Sequence, residues 1–305
     1  MNPKVIFFIG LLSLFGMELF LRIQRDPDNI DFLFEWCFFD RVLGRFFEHL
    51  SEGNSKYIPI NSDGFRGKRE VFSKKQLQII VTGAGHNFAN NIPYGRAWPE
   101  LLETKLLQQG TQTEVLNRSI NGSTVVFAHK VQLSEILHMQ PTHVILSHSG
   151  YNESILSYIS DDEIIRPNDI FFNIFMSSEI NRMLYKNVLV YHRIQKKIQK
   201  KFKVHPAEFI ENYEEMILKL MEMNIDIILL QQEVITPDIE GFWNRKNLLR
   251  YREAFRDIAQ RFQLKLIDPK DLIEDSPDLY FDNKEYYNFR MHSAIADEIS
   301  DCFQR

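Results

Sequence analysis

The stretch "VTGAGHNFANN", residues 81–91, follows the β-branched run "LQIIV" (77–81) and precedes "IPYGRAWPELLETKLL" (92–107), which has the pattern of a helix. A strand that runs through a glycine-rich turn into a helix is where α/β enzymes place a nucleophile or bind a phosphate. Between Gly83 and Asn91, however, the turn contains no Ser, Cys, Thr or Lys. The turn therefore indicates the architecture of an α/β enzyme but lacks a residue that would attack a substrate.

Strand-like and helix-like segments alternate from residue 77 onward. Short apolar strands separated by helices indicate a parallel sheet covered on both faces, and ligands of such sheets bind at the carboxyl ends of the strands. We therefore predict an α/β fold over residues 77–305, a three-layer α/β/α sandwich with a flavodoxin-like parallel sheet of about five strands. The predicted strands are "LQIIVTG" (77–83), "TEVLN" (113–117), "THVILSH" (142–148), "IDIILLQQ" (225–232) and "LKLID" (264–268).

Composition excludes several classes of function. The chain has 305 residues, which suits one sizeable domain with an appendage, and its net charge of −5 gives no support to nucleic-acid binding. Its two cysteines, Cys37 and Cys302, form no spacing pattern, so neither a zinc site nor a disulfide framework is indicated. We expect no nucleic-acid partner, no metal and no cofactor.

The N-terminus has the length and hydropathy of a membrane anchor. The run "VIFFIGLLSLFGMELFLRI" is about long enough to span a bilayer, and it lacks a small-residue cleavage site. Glu18 lies near the end of the run, where its carboxylate can reach the interface. We predict a single-pass transmembrane helix within residues 1–25. The expectation is a globular domain outside the cytoplasm, but basic residues on both sides of the run leave its orientation open. The alternative is a buried N-terminal helix of a soluble protein.

Two further regions flank or interrupt the predicted domain. Residues 26–76 combine an aromatic-rich amphipathic stretch with a polar lead-in, and residues 155–205 form an insertion between the third and fourth strands. The insertion carries a basic run that favours a solvated helix face over a contact with anionic lipid headgroups. The basic residues are Lys186, Arg193, Lys196, Lys197, Lys200, Lys201 and Lys203.

Four motifs stand at the predicted strand ends, and their order resembles the SGNH, or GDSL-like, hydrolase superfamily. They are "GAGH" (83–86), "NRSINGS" (117–123), "SGYNES" (149–154) and "LYFDNKEYYNFRMHSAIADEI" (279–299). The resemblance covers nearly all of residues 61–305. The lead-in "NSDGFRG" (61–67) and the anchor end "MELFLR" (17–22) are similar to those of membrane-anchored bacterial members.

The resemblance implies an ester or acyl hydrolase site. In the family, a Ser after the first strand attacks the carbonyl, and a D-x-x-H pair before the last helix supplies the base and the group that orients it. The oxyanion is held by the Ser N–H, by a Gly N–H after the second strand and by an Asn side chain after the third. The resemblance places the last two groups at Gly122 and Asn152.

The catalytic residues themselves do not match. The Ser position is Gly85, while the D-x-x-H positions are Asn283 and Tyr286, or Asp282 and Glu285 if one residue is inserted. Neither register supplies an imidazole, and a carboxylate is a weak base at neutral pH. We therefore predict a catalytically degenerate site that binds a ligand. The predicted ligand-binding residues are Gly83, Gly85, His86, Gly122 and Asn152.

Three other hypotheses remain open. An active ester hydrolase or acyltransferase acting on cell-envelope glycan or lipid would need a relocated Ser–His pair. A metal site would need His86, His148, Asp282 and Glu285 to converge. A structural membrane-associated protein would make its main contacts through the aromatic region 31–50 and the basic insertion. The predicted partners are the membrane and a small acyl or glycan ligand or a protein. Candidates for the relocated pair are Ser119, Ser123, Ser147 and Ser149 with His86, His148 and His292.

Overall fold

A parallel five-stranded sheet forms the centre of the molecule. The computed structural model describes residues 66–67, 77–89, 92–120, 122–157, 161, 201–232, 245–273, 280–281 and 287–304. In chain order its strands are β1 (Leu77–Gly83), β2 (Thr113–Asn117), β3 (His143–Ser147), β4 (Leu156–Ser157), β5 (Lys201–Phe202), β6 (Asp226–Leu230) and β7 (Lys265–Ile267). The sheet has the order β2-β1-β3-β6-β7 with every neighbouring pair parallel, whereas β4 and β5 form a separate antiparallel pair.

The helices lie between the strands, as predicted. They are α1 (Gly85–Phe88), α2 (Trp98–Gln108), α3 (Val125–Phe127), α4 (Leu133–Met139), α5 (Pro206–Glu222), α6 (Arg245–Arg261) and α7 (Phe289–Asp301). A π-helical stretch, Ala128–Gln132, joins α3 to α4, and a 3₁₀ helix, Pro269–Leu272, follows β7. No helix in the described ranges combines the length and hydropathy needed to cross a bilayer. The predicted anchor at residues 1–25 lies outside those ranges, as does the aromatic stretch at 31–50.

Both faces of the sheet are covered by helices. Successive strand residues point to opposite faces, so Ile80 and Val144 are buried against α5 and α6, while Ile79 and Ile145 are buried against α2 and α7. Each such side chain contributes about 1.5–3 kcal/mol when fully buried. The predicted parallel sheet of about five strands with flanking helices is therefore confirmed.

Helix α5 illustrates how the sequence specifies these layers. Pro206 occupies its first turn, where a missing N–H is tolerated, and the His205 ring accepts a hydrogen bond from Ala207 N–H at 3.3 Å. Its apolar residues recur every three or four positions and therefore share one face. The buried residues of that face include Phe209, Tyr213, Met216, Ile217 and Leu220.

The strand order brings the ends of β1, β2 and β3 to one edge of the sheet. Because β1 lies between β2 and β3, the chain leaves β1 in one direction to reach β2 and crosses back to reach β3. Ligands of open α/β sheets bind outside the carboxyl ends of the strands at such a reversal. The residues that end these strands are Gly83, Asn117 and Ser147.

Gly150, which follows β3, should not tolerate a side chain. Its φ is +102°, and an added Cβ would lie 2.1 Å from the Cβ of buried Tyr251. We expect Gly150→Ala to lower the free energy of unfolding, measured by urea titration, by about 1–3 kcal/mol more than Gly110→Ala does. Gly110 is a matched control because its φ is +86° and nothing lies within 4 Å of an added Cβ. Equal losses in the two variants would contradict the packing explanation.

Candidate functional site

The position expected for the nucleophile is the first residue of α1. Gly85 follows the N-cap residue Ala84 directly after β1, and it is buried. Ala89 caps α1 at its C-terminal end, and its φ of 54° is in the left-handed region. The backbone therefore makes the strand–turn–helix geometry that presents a nucleophile in α/β enzymes, while Gly85 has no side chain to present.

Gly83 has a packing reason to be glycine. A Cβ at this position would lie 1.9 Å from the Asn87 Nδ2 atom and 3.1 Å from the Ser147 carbonyl oxygen. Asn87 has little freedom to move, because its Oδ1 accepts a hydrogen bond from Trp98 Nε1 at 3.0 Å and its carbonyl accepts one from Asn117 Nδ2 at 2.8 Å. Close packing thus accounts for Gly83 without any contact to a ligand.

Hydrogen bonds connect the loops that follow β1, β2 and β3. Ser123 Oγ lies 2.8 Å from the carbonyl oxygen of Gly83, and Asn152 Nδ2 donates to the carbonyl oxygen of Ser123 at 2.7 Å. Gly122, next to Ser123, has a φ of 66°, which favours glycine. The residues matched to the family's oxyanion groups therefore belong to one hydrogen-bonded set of loops.

Ser123 and His148 form a buried hydrogen-bonded pair in which the histidine donates to the serine. Catalysis would require the histidine to accept the serine proton. Ser123 Oγ lies 3.1 Å from His148 Nε2, and also 2.8 and 2.7 Å from the carbonyl oxygens of Gly83 and Ile120. A hydroxyl has one proton, and carbonyls only accept. The hydroxyl therefore donates to a carbonyl, and His148 Nε2–H donates to Oγ. In this arrangement the imidazole does not accept the serine proton.

The other serines considered for a relocated pair have no imidazole partner in the described part of the chain. Ser149 Oγ accepts a hydrogen bond from Gln232 N–H at 2.6 Å. The hydroxyls of Ser119 and Ser147 are buried and have no hydrogen-bond partner among the described residues. Among the described residues, Ser123 and His148 are therefore the one hydrogen-bonded pair of the seven candidates.

Aromatic rings join the loops after β1 and β3 to the segment before α7. The His86 ring centroid lies 5.2 Å from that of Tyr151 and 5.0 Å from that of Tyr287. Tyr287 in turn lies 5.8 Å from the ring of His292. Edge-to-face contacts of this kind are worth about 0.5–1.5 kcal/mol beyond burial, so they help to hold the three segments together.

His292 is neutral and its Nδ1 is already engaged. That atom accepts a hydrogen bond from Trp98 N–H at 3.2 Å, which places the proton on Nε2. Burial, followed by the positive charge of Arg66 and by His86, lowers the pKa of His292 to about 3. Within the described residues Nε2 has no hydrogen-bond partner. With Nδ1 engaged and Nε2 protonated, His292 has no free lone pair to act as a base.

The predicted acid–base loop lies outside the described residues. Asp282, Asn283, Glu285 and Tyr286 all belong to it. The residues on either side of it are described, since Phe281 and Tyr287 form an antiparallel bridge and their rings lie 5.4 Å apart. The Tyr287 ring also packs on His86, so the base of the loop lies beside α1. In the described ranges no group of three or more His, Cys, Asp or Glu could hold a metal ion.

Arg66 supports the site, although its place in the sequence predicted no role for it. Its guanidinium donates to the Glu100 carboxylate at 2.8 Å and to three main-chain carbonyl oxygens, those of Phe88, Ala89 and Ile92, at 3.1, 2.8 and 2.9 Å. Phe88 and Ala89 end α1. Arg66 therefore satisfies carbonyls that a helix end leaves unpaired and fixes the turn that carries Gly85. The "GFRG" motif in the lead-in was the available signal.

Lys203 also differs from its sequence-based interpretation. The basic run predicts a solvated helix face, but Lys203 follows strand β5 and its side chain is only 15% exposed. Its ammonium donates to the Gly122 carbonyl oxygen at 2.9 Å. For this residue the prediction is wrong, because Lys203 lies outside any helix and its ammonium binds the Gly122 loop.

Comparisons with known proteins agree with this geometry at the level of fold. No protein-family model and no curated protein matches the chain. Among solved structures, it is similar to LAE5, an α/β-hydrolase enzyme from the metagenome of Lake Arreo, Spain. The identity is 16%, the TM-score is 0.51, and the match covers 77% of this chain and 100% of that one.

Two further solved structures give the same result. The lipase/acylhydrolase from Enterococcus faecalis has 14% identity and a TM-score of 0.51, covering 74% of this chain and 97% of that one. The acetyl xylan esterase AlAXEase has 15% identity and a TM-score of 0.50, covering 74% and 100% respectively. The chain therefore shares its α/β fold with these hydrolases, as the resemblance of its motifs predicted.

Proposed function

We propose that this protein is a membrane-anchored SGNH-hydrolase-like protein that binds a small acyl ligand without hydrolysing it. The observation that carries the proposal is Gly85, which occupies the first position of α1 after β1. Covalent acyl transfer by a serine mechanism requires a hydroxyl at this point, and glycine supplies none. The mismatch at Asn283 and Tyr286, where the family has Asp and His, points in the same direction.

The oxyanion-type groups retain a use in binding. An Asn amide has two N–H donors, and Asn152 donates one of them to Ser123. The second remains for a ligand oxygen, together with the Gly122 N–H group. A carbonyl or carboxylate of an acyl or acylated glycan ligand accepts hydrogen bonds from such donors, and the aromatic rings of His86 and Tyr151 offer it apolar contact.

A retained esterase is the second candidate, and the contact between Ser123 and His148 is the observation in its favour. For this pair to work, His148 would have to release its Nε2 proton and take up the one that the serine donates to a carbonyl. Both side chains are about 1% exposed, so a substrate would also have to displace the surrounding loops.

We expect the purified protein to show no turnover of p-nitrophenyl acetate and no fluorophosphonate adduct. Loss of the catalytic Ser and His typically lowers kcat by roughly 10⁶-fold, leaving only the contribution of the oxyanion hole and binding. Gly85→Ser alone should not restore activity, because no imidazole stands at residue 286. The measurement is mass spectrometry of the labelled protein beside steady-state hydrolysis. Hydrolysis by the unmodified protein that is abolished in Ser123→Ala would establish the second candidate instead.

Ligand binding has its own test. Titration of the protein with short-chain carboxylates, followed by NMR, should shift the side-chain amide signal of Asn152, and Asn152→Ala should abolish binding.

For the anchor, membrane fractionation of the full chain is decisive. Recovery of the protein in the soluble fraction without detergent would refute the anchoring proposed for residues 4–22, a run long enough for a hydrocarbon core of about 30 Å. Co-purification of a protein partner that survives Asn152→Ala would favour a scaffolding role.

A further inference from the structure

A two-stranded stem stands beside the loop that carries Gly122. Strands β4 and β5 form this stem, which is extended by two main-chain hydrogen bonds: Lys203 N–H donates to Ile155 O at 2.8 Å, and Val204 N–H donates to Glu153 O at 3.2 Å. The stem starts at the residue that follows Asn152 in the chain. The stem therefore continues directly from the loop that carries Asn152, and it lies beside the loop that carries Gly122.

Side chains of the stem and of Asp161 bind the loop after β2 at residues 122, 124 and 125. Lys203 Nζ donates to the carbonyl oxygen of Gly122 at 2.9 Å and lies 3.8 Å from an Asp161 carboxylate oxygen. The other oxygen of Asp161 accepts a hydrogen bond from the Thr124 hydroxyl. Asp161 is itself held in place, because its N–H donates to the carbonyl oxygen of Lys203 at 2.9 Å.

Glu153 completes this set. Its carboxylate accepts a hydrogen bond from Val125 N–H at 2.9 Å, and Glu153 is only 1% exposed. We call Glu153, Asp161 and Lys203 the stem cluster. Its members bind the carbonyl of residue 122, the hydroxyl of residue 124 and the N–H of residue 125, so the loop is held on both sides of Ser123.

The loop needs such support because glycine does not fix its own backbone. Gly122 has a φ of 66°, and glycine exchanges between left-handed and right-handed regions at little steric cost. A charged donor on its carbonyl oxygen removes that freedom, since hydrogen bonds to ionised groups are stronger than neutral ones. The Lys203 contact therefore restrains the peptide group between Gly122 and Ser123, whose N–H donates to the Ile120 carbonyl oxygen at 3.1 Å. It thereby restrains the loop that carries the Gly122 N–H group proposed to bind the ligand.

We propose that Lys203, supported by Asp161 and Glu153, is a positioning residue that holds the Gly122 loop in its ligand-binding conformation. The restraint on the loop follows from the contacts of the stem cluster with residues 122, 124 and 125. The effect on ligand affinity rests on the proposed function. The contact joins residues 81 positions apart in the chain. It couples the stem to the site after β2.

Hydrogen exchange of the full-length protein, resolved at residues 122–125, tests the proposal without any ligand. Lys203→Met should accelerate exchange of the Ser123 and Val125 amides by about tenfold or more, because the loop loses its charged contact. The β1 amides should exchange as in the unmodified protein. Lys265→Met is the matched control, since the Lys265 side chain is 49% exposed and pairs with a surface glutamate, Glu298. It should leave loop exchange unchanged.

A second variant separates positioning from charge balance. Lys203→Met alone removes a cation from beside the buried Asp161 carboxylate, which itself lowers stability. In Lys203→Met/Asp161→Asn both charges are removed together, and we expect thermal stability to recover while loop exchange remains fast. Slow exchange at Ser123 and Val125 in the double variant would overturn the proposal. Carboxylate affinity should fall in both variants, whereas failure of the unmodified protein to bind would count against the proposed function alone.

Discussion

Replacing Arg66 with methionine should lower the free energy of unfolding by about 3–5 kcal/mol, the usual cost of removing one partner from a buried charge pair. The Arg66 side chain is fully buried and donates to the Glu100 carboxylate, whose residue is also largely buried. Methionine fills much of the space but offers no donor, so the carboxylate and three main-chain carbonyls lose their hydrogen bonds to the guanidinium. Urea denaturation at neutral pH measures the loss.

Two comparisons make this result specific. Lys105→Met removes an ion pair with Asp297 from the same helix, α2, but these side chains are 28% and 59% exposed, and the loss should stay below about 1 kcal/mol. Burial already raises the pKa of Glu100 despite the opposing charge of Arg66. Without Arg66 the carboxyl should protonate more readily, so Arg66→Met should be less destabilising at pH 5 than at pH 8. A loss comparable to that of Lys105→Met would show that Arg66 does not hold the turn.

The strands of the main sheet could be predicted from the sequence because each is a short apolar run. The structure ends β1 and β2 where the pattern does, and it shortens "THVILSH" to His143–Ser147 and "IDIILLQQ" to Asp226–Leu230. Most of the trimmed residues make polar side-chain contacts, whereas the trimmed Ile225 is buried in the core. Gln232, for example, donates its side-chain N–H to Ser147 O at 2.8 Å.

The proximity of the loops after β1, β2 and β3 could also be predicted, because in a parallel sheet the carboxyl ends of neighbouring strands lie at the same edge. The hydrogen bonds that link Gly83, Ser123 and Asn152 fit that expectation. The stem cluster could not be predicted in this way. Lys203 sits in a run of basic residues whose spacing suits a helix, and its contact with Gly122 depends on how the chain returns to the sheet. Periodicity carries no information about such a return.

The stem cluster should make stability depend on pH through Glu153. Burial raises the pKa of Glu153 to about 7, with Asp161 adding to the effect and Lys203 opposing it. Tyr213 and Tyr251 also face this carboxyl, and burial raises the pKa of each phenol, so both stay neutral in this range. The carboxyl is thus protonated in the folded state at pH values where it is already ionised in the unfolded chain.

The sign of the effect follows from that difference. Below pH 4.5, the ordinary pKa of a glutamate carboxyl, both states hold the proton and the full stabilisation is present; it is lost as pH rises toward about 7, where the folded state also ionises. Each pKa unit corresponds to about 1.4 kcal/mol, so the unfolding free energy should fall by about 3 kcal/mol across this range. Glu153→Gln keeps an acceptor for Val125 N–H but does not titrate.

Urea unfolding of both proteins at half-unit steps from about pH 4.5 to 8 isolates this contribution, because every other titrating group is common to the two. The stability of Glu153→Gln relative to the unmodified protein should rise by about 3 kcal/mol up to about pH 7 and then level off. In a Lys203→Met background the plateau should move to higher pH, since loss of the ammonium removes an attraction that favours the ionised carboxylate. If the two proteins gave parallel curves of unfolding free energy against pH, Glu153 would ionise as readily in the folded chain as in the unfolded one. The buried position of its carboxylate beside the Gly122 loop would then be wrong.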